Sequence, residues 1–421
     1  MQRETETAIK ARHPPATLAR KITLPLLTLY GLGTTIGAGI YVVIGESGAS
    51  AGYYLPLAFL IAGVIAGLSA ASFAELATRF PVSAGEAAYI REGLGLRDIS
   101  LIAGLAVAFS GTISSATLLQ GGVGYLKQIV GAPDALLFIL LLASLGSLVT
   151  WGILKSLVMT ALLTLVEIAG LLLVILYAPA DPITMAANAS ANAAPFNLTL
   201  LTGLSASILL AFFAFIGFED MVNVIEEVKE PSRTMPRAIA LTLIITIVLY
   251  IWVALVTVST VPPGELRGSA APLAEIFGRL SGHSTQAFSV IAVVAVVNGV
   301  IIQLVMASRV LYGLARQGQI PEMFGRVSPT THTPLIATLA VCLVVLALGL
   351  TLSLRDLAQT TSALTLAAFA LVNLSLWRLK RGTLPERNVF TIPRIIPILG
   401  FLTTSLFLAA EFTRRIVAYF G

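Results

Sequence analysis

The stretch Gly31-Leu32-Gly33-Thr34-Thr35-Ile36-Gly37-Ala38-Gly39-Ile40 lies inside an apolar window that runs from residue 24 to 46. Glycine in a helix interior costs roughly 1 kcal/mol relative to alanine. Four glycines so close together therefore predict a helix that weakens halfway along its length. Taken alone, the better reading is a stripe of small residues for close helix packing. A second interruption changes the balance. In Phe212-Phe213-Ala214-Phe215-Ile216-Gly217-Phe218-Glu219-Asp220, two carboxylates follow a lone glycine in another apolar window. The Ile-Gly steps at 36–37 and 216–217 are 180 residues apart.

The surroundings are a membrane protein. The chain has 421 residues, of which 57% are hydrophobic and only 11% charged, with a mean hydropathy of +0.92. A soluble protein carries about 25% charged residues, so a water-soluble enzyme is ruled out, and apolar dominance excludes disorder. Windows of about 20 apolar residues suit a hydrocarbon core of about 30 Å. They fall near 24–46, 55–78, 100–126, 134–153, 156–178, 202–227, 236–260, 284–312, 334–353, 357–377 and 394–412. The runs are continuous, not alternating with period two, which excludes a β-barrel and leaves α-helices. About 11 spans are expected.

Charge sets the orientation. With the N-terminus inside, 20 of the 26 Lys and Arg fall on the cytoplasmic side and 6 on the outer side, which is the positive-inside pattern. The net charge of +5 is better explained by basic loops at an anionic membrane surface than by nucleic acid. The polar, basic residues 1–23 read as a cytoplasmic tail without a cleavable signal. Cys342, the only cysteine, allows no internal disulfide, and His13, His283 and His332 lie too far apart for a metal cluster.

Spans one and six each open a set of five. Five being odd, the second set starts from the opposite side, so the repeat is inverted. Interrupted helices at matching places in two such halves mark a transporter's binding site. Exposed amides at a half-helix N-terminus favour an anionic group and freed carbonyls a cationic one, so a zwitterion suits the site.

Four stretches carry a resemblance to a known family: 33–40, the loop Pro81-Val82-Ser83-Ala84-Gly85-Glu86-Ala87-Ala88-Tyr89, 213–219 continuing into 226–237, and Ser308-Arg309-Val310-Leu311-Tyr312-Gly313-Leu314-Ala315-Arg316 to Pro321. In that order and spacing the sequence resembles the amino acid–polyamine–organocation superfamily of permeases. The resemblance implies an all-α integral membrane protein of two inverted five-helix repeats, with discontinuous helices 1 and 6 and one further transmembrane helix. The parts would be a tail at 1–23, a first repeat at 24–178, an outer loop at 179–201, a second repeat at 202–378, and a cytoplasmic loop with the final helix at 379–421. It implies a multi-pass protein of the cell membrane, no enzyme, moving amino acids or related amines by alternating access with protons as coupling partner. An exchanger, a polyamine antiporter and a transporter-like sensor remain alternatives. Neither cofactor nor metal is implied, and the oligomeric state stays open.

By the same resemblance, Thr35, Ile36, Gly37, Ala38 and Gly39 meet the substrate carboxylate, and Phe213, Ala214 and Ile216 the amino group, with the Phe213 ring as a gate. Glu219 matches a carboxylate that responds to protonation, and would serve equally as an N-cap partner for the second half of span six. Many relatives have twelve spans. Glu167 in span five falls where several proton-coupled relatives carry a lysine, and a carboxylate there could take and release a proton. The alternative is a structural glutamate hydrogen-bonded to the span-one backbone.

The residues themselves add candidates. Ser110, Thr112, Ser114, Ser115, Thr117, Gln120, Asn298, Gln303, Gln359, Thr360, Thr361 and Ser362 are polar positions in apolar spans, most of which should bond their own helix. Asn298 is the strongest, because a mid-depth amide needs several partners. Spans three, eight and ten offer no obvious carboxylate for a cationic side chain, which favours a neutral amino acid, although Glu219 and Asp220 keep basic substrates open. The G-x-S-x-G match at 48–52 has no histidine to activate its serine. By the resemblance, sodium-dependent members present hydroxyl side chains from span eight near the first break; Val293, Val294, Ala295, Val296 and Val297 fall there and supply no oxygen ligands, so sodium coupling is not expected. Uptake into proteoliposomes should persist when choline replaces sodium; arrest of uptake would show that a sodium site exists.

Overall fold

A computed structural model describes residues 20–81, 85–151, 157–382 and 389–420. The expected tail up to residue 19, positions 82–84 of the 81–89 stretch and 383–388 of the loop before the last helix lie outside the described residues. Helices occupy every expected window. Span one is Leu24–Ile36 with Gly39–Ala51, span two Leu55–Arg79, span three Arg97–Lys127, span four Asp134–Trp151 and span five Leu157–Leu176. Span six is Leu198–Phe213 followed by the 3-10 helix Phe218–Glu227, then come span seven Pro231–Thr260, span eight Thr285–Arg316, span nine Leu335–Thr351, span ten Leu354–Gly382 and span eleven Ile395–Phe420. Nine helical stretches among the described residues are long and apolar enough to cross a membrane, and Leu24–Ile36 and Leu335–Thr351 are shorter apolar helices. This is a multi-pass, all-α membrane protein.

Several helices run a few residues past the expected windows, and the start of span seven differs in kind. Span seven begins at Pro231, and Pro236 sits inside it. A proline at the first helical position loses nothing, because its missing N–H would have been an orphan there.

The packing has the symmetry of an inverted repeat. Exchanging one with six, two with seven, three with eight, four with nine and five with ten maps the helix contacts onto one another. Two packs on seven, three on eight and four on nine, which are their own images. Three packs on ten as eight does on five, and the first half of one packs on five as the first half of six does on ten. The correspondence extends to two short helices between spans. Gly85–Leu94 lies against spans three and ten and the second half of six, while Pro272–Ser281 lies against spans eight and five and the second half of one. One end of the bundle is thus covered by the first short helix and the opposite end by its image.

Polar groups of backbone and side chain fasten the layers. At the end expected to be cytoplasmic, Lys21 and Ile22 amides donate to the Glu227 carbonyl at 2.9 and 3.0 Å, tying the entry of span one to the exit of span six. Nearby Glu75 of span two, fully buried, pairs with Arg79 at 2.6 Å and with Lys380 of span ten at 2.7 Å. Its second oxygen also accepts from the Ile392 amide at 2.8 Å, just ahead of span eleven. Deeper, Asn373 of span ten accepts from Ser72 at 2.7 Å and donates to Ser69 at 3.0 Å. At the far end of span eleven, buried Glu411 holds Arg414 and Arg415, whose guanidinium groups reach Gln359 and Thr360 of span ten.

Gly217 is the tightest point. Its φ is +128°, and a Cβ there would stand 2.1 Å from the Thr34 carbonyl oxygen. The Gly217→Ala variant should lose at least about 1–3 kcal/mol from backbone strain alone, read as a lower unfolding temperature in detergent.

Candidate functional site

The two interruptions are real breaks, and they touch. Span one stops at Ile36, turns through Gly37 at φ 32° and ψ −138°, and restarts at Gly39. Span six stops at Phe213, runs through a turn at 214–217, and continues from Phe218 as a 3-10 helix. A Cβ on Gly39 would lie 2.9 Å from the Ala214 Cα, so the chains cross where position 39 has no room for a side chain. Span eight closes the third side, with the Gly299 Cα 3.9 Å from the position of a Gly37 Cβ.

Each break exposes backbone groups that lipid cannot satisfy. Tyr250 of span seven answers part of this. Its buried hydroxyl donates to the Ala214 carbonyl at 2.9 Å and stands 3.2 Å from the Thr35 carbonyl oxygen, so one side chain bridges both breaks. No side chain caps the helix that restarts at Gly39. The amides of its first turn have no partner within their own helix and keep the partial positive charge of a helix N-terminus.

The expected binding residues Thr35, Ile36, Gly37, Ala38, Gly39, Phe213, Ala214 and Ile216 are all buried at this crossing. Thr35 Oγ1 is buried without a partner. Asn298, also buried, donates to Glu167 Oε1 at 2.7 Å, while Glu167 Oε2 has no partner. The Glu167 side chain therefore meets span eight, not the span-one backbone. Its tie to span one runs through its main-chain oxygen, which accepts from the Tyr41 hydroxyl. Glu219 turns back to accept from the Gly217 amide at 2.8 Å, the capping role that its position also suggested.

Beneath the crossing, toward the end closed by Gly85–Leu94, lies a chamber lined by Glu86, Ser110, Ile216, Glu219, Asp220, Gln303, Thr365 and Phe369, among others. Its free space is ≈ 20 Å³, room for about one water-sized group. Asp220 Oδ2 and Gln303 Oε1 are buried there without partners, whereas Ser110 and Thr365 satisfy each other at 2.7 Å. Burial pushes the Glu86 carboxyl on the short helix up to about 7, because loss of water disfavours its charged form.

The remaining polar candidates divide. Thr112, Ser115, Thr117 and Thr361 bond carbonyls of their own helices. Gln120 spans to the Gly349 and Leu352 carbonyls, and Ser362 to that of Leu209, so these two join helices. Gln359 and Thr360 belong to the span-eleven clamp. Among the described residues no three of His, Cys, Asp and Glu are grouped to hold a metal ion. Tyr250 and Glu86 were not picked out from the sequence. A tyrosine in an apolar run carries no special signal, and Glu86 stood in a segment read only as a loop.

Removing the bridge should be measurable. Tyr250→Phe is expected to lose about 1 kcal/mol in thermal unfolding in detergent. Thr246→Val removes a buried hydroxyl on the same helix that has no partner and should be neutral or mildly stabilising. Equal losses from both would refute the bridging role.

Residues 22–419 match the family model described as amino acid permease. A vacuolar cationic amino acid transporter of Arabidopsis thaliana is 31% identical over 385 residues, covering 85% of this chain and 63% of that protein. The chain thus spans about three fifths of the length of that relative, and 59% of a second vacuolar one. A branched-chain amino acid permease of Bacillus subtilis is 26% identical over 425 residues, covering 95% of this chain and 89% of that protein. An uncharacterised transporter of Mycobacterium tuberculosis is 31% identical over 399 residues, covering 93% and 86%.

Proposed function

As the chain belongs to the amino acid permease family, within the amino acid–polyamine–organocation superfamily, we propose that it carries amino acids or related amines across the cell membrane by alternating access, coupled to protons. The observation that carries this reading is the crossing of two broken helices at Gly39 and Ala214. There the uncapped start of the Gly39–Ala51 helix suits a carboxylate, and unwound carbonyls at 213–216 suit an ammonium group. Thr35 adds a free hydroxyl beside them. The basic-loop bias of 20 to 6 supports a cytoplasmic N-terminus.

Glu167 and Asn298 form the coupling element in this reading. A buried carboxylate with one oxygen held by an amide and the other free has a place for a proton. An ionisable group at such depth is a functional candidate by default. Glu219, engaged with the Gly217 amide, couples the state of its carboxyl to the shape of the second break. Gly85–Leu94 and Pro272–Ser281, covering opposite ends, are the closures that alternate.

Uptake of a radiolabelled amino acid panel into proteoliposomes, with and without a pH gradient, tests the reading. Accumulation driven by an inwardly directed proton gradient is expected. Binding without accumulation would indicate a sensor instead. Glu167→Gln should abolish the pH dependence of uptake, and unchanged pH dependence would remove Glu167 from the coupling role.

A further inference from the structure

The short helix Pro272–Ser281 starts at Ala271 without a side-chain cap, and first-turn amides need partners from outside their helix. The Leu273 amide finds one in the Tyr125 hydroxyl of span three at 3.3 Å. That hydroxyl donates in turn to the Tyr41 carbonyl at 2.7 Å. Tyr41, on the second half of span one, gives its own hydroxyl to the Glu167 main-chain oxygen of span five. The Glu167 side chain then meets Asn298 of span eight. A buried line of polar contacts thus runs from the short helix to the carboxylate.

A second route, made of rings, ends on the same tyrosine. Phe277 of the short helix stacks on Phe288 of span eight, with centroids 5.0 Å apart. The Phe288 ring lies 6.2 Å from that of Tyr41. Tyr41, Tyr125 and Phe288 are fully buried, and a close-packed interior transmits displacement instead of absorbing it. Gly170, about one turn past Glu167, leaves the space that the Tyr41 hydroxyl fills, since a Cβ there would run into it.

We propose that Tyr41 is a positioning residue through which the outer closure Pro272–Ser281 and the Glu167–Asn298 pair govern each other, the closure lifting when Glu167 is charged and settling when it holds a proton. This rests on the transport reading above and adds the regulation of one of its closures. The direction follows from burial. Glu167 Oε2 has no partner, so the charged carboxylate is costly away from water, and a lifted closure admits water. Such coupling is reciprocal: what the proton does to the closure, the closure does to the proton.

The titratable side chains facing Glu167 are Tyr41 of span one and Tyr250 of span seven, and among the described residues no cation pairs with it. The closure has charges of its own. Glu275 accepts from Ser269 at 2.6 Å and faces Tyr125, and Arg279 pairs with Glu265 at 3.0 Å. His283 lies beside the Tyr177 and Phe277 rings, and Glu46 accepts from the Gly268 amide at 3.2 Å. The test has to separate these from Glu167.

Cys342 is the only cysteine, so Cys342→Ala with Ala274→Cys leaves one thiol, on the buried face of the closure. A maleimide reaches it only when the closure lifts. The labelling rate of the purified full chain in detergent is divided by that of the same chain unfolded in SDS, which removes the titration of the thiol itself. From about pH 5 to about pH 8, where folded proteins are most stable, this ratio should rise at least about fivefold, the lower end of coupling between sites. Glu167→Gln should flatten it. Tyr41→Phe should flatten it with Glu167 still in place, and so should Gly170→Ala, which keeps the hydroxyl but takes its space. A tyrosine that only stabilises the fold would lower the unfolding temperature and leave the slope untouched. A parent ratio that does not rise with pH overturns the proposal. So does the parent slope persisting in Glu167→Gln, where it would come from the closure's own charges, or in either folded variant at positions 41 and 170. Labelling needs no transport, so these outcomes leave amino acid uptake standing, whereas uptake of none of an amino acid panel would sink the transport reading alone.

Discussion

A polar backbone group in lipid has to find a partner inside the protein, and the architecture is organised around two places where this rule is strained. Breaking a helix at membrane depth frees amides and carbonyls that neither lipid nor the helix itself can satisfy. The two breaks resolve this by lying against each other. That demands glycine at 39 and 217, because backbone approaches backbone with no room for a Cβ. Tyr250 then supplies one hydroxyl to carbonyls from both sides. Some polar groups remain unmet, the Thr35 hydroxyl among them, and such leftover capacity is what a zwitterion would use.

The inverted repeat gives the site its two faces. Because the contacts of the first five spans recur among the second five with the direction reversed, whatever closes one end has a counterpart at the other. The helix Gly85–Leu94 and its image Pro272–Ser281 illustrate this with unequal chemistry. The first brings Glu86 into an enclosed chamber, while the second ties itself by the Leu273 amide to the Tyr125 hydroxyl, which in turn donates to the Tyr41 carbonyl. Symmetric packing thus carries unlike chemistry: an acid facing the chamber on one side, a tyrosine hydrogen-bond relay on the other.

The sequence made the fold legible through length and hydropathy, since twenty-residue apolar runs in lipid have almost no alternative to helix. The breaks were legible because glycines clustered at 31–39 and a Gly-x-Glu-Asp step at 217–220 both violate helix economy. What the sequence did not disclose depends on contacts between distant segments. Glu167 and Asn298, 131 residues apart, were each notable singly, yet nothing in either neighbourhood announced that they pair. Glu86 stands in a stretch that reads as a loop in sequence, and only the three-dimensional arrangement folds that stretch back beneath span six. The inference of a neutral side chain followed from finding no carboxylate in spans three, eight or ten. The acids that line the chamber come from span six and a short helix.

The buried ion pair between Glu75 and Lys380 has a mechanical consequence. It joins span two of the first repeat to span ten of the second, and the Asn373 bonds to Ser69 and Ser72 repeat the join deeper in. Parting these helices would take the Lys380 ammonium from its carboxylate and leave Glu75 with Arg79 of its own helix, at up to about 3–5 kcal/mol for the broken pair. The two therefore travel as one rigid strut, with span eleven bolted along it through Ile392 at one end and Arg414 and Arg415 at the other. Under the transport reading proposed above, an opening of the crossing would pivot around that strut and would hinge at the broken helices and the two short end helices.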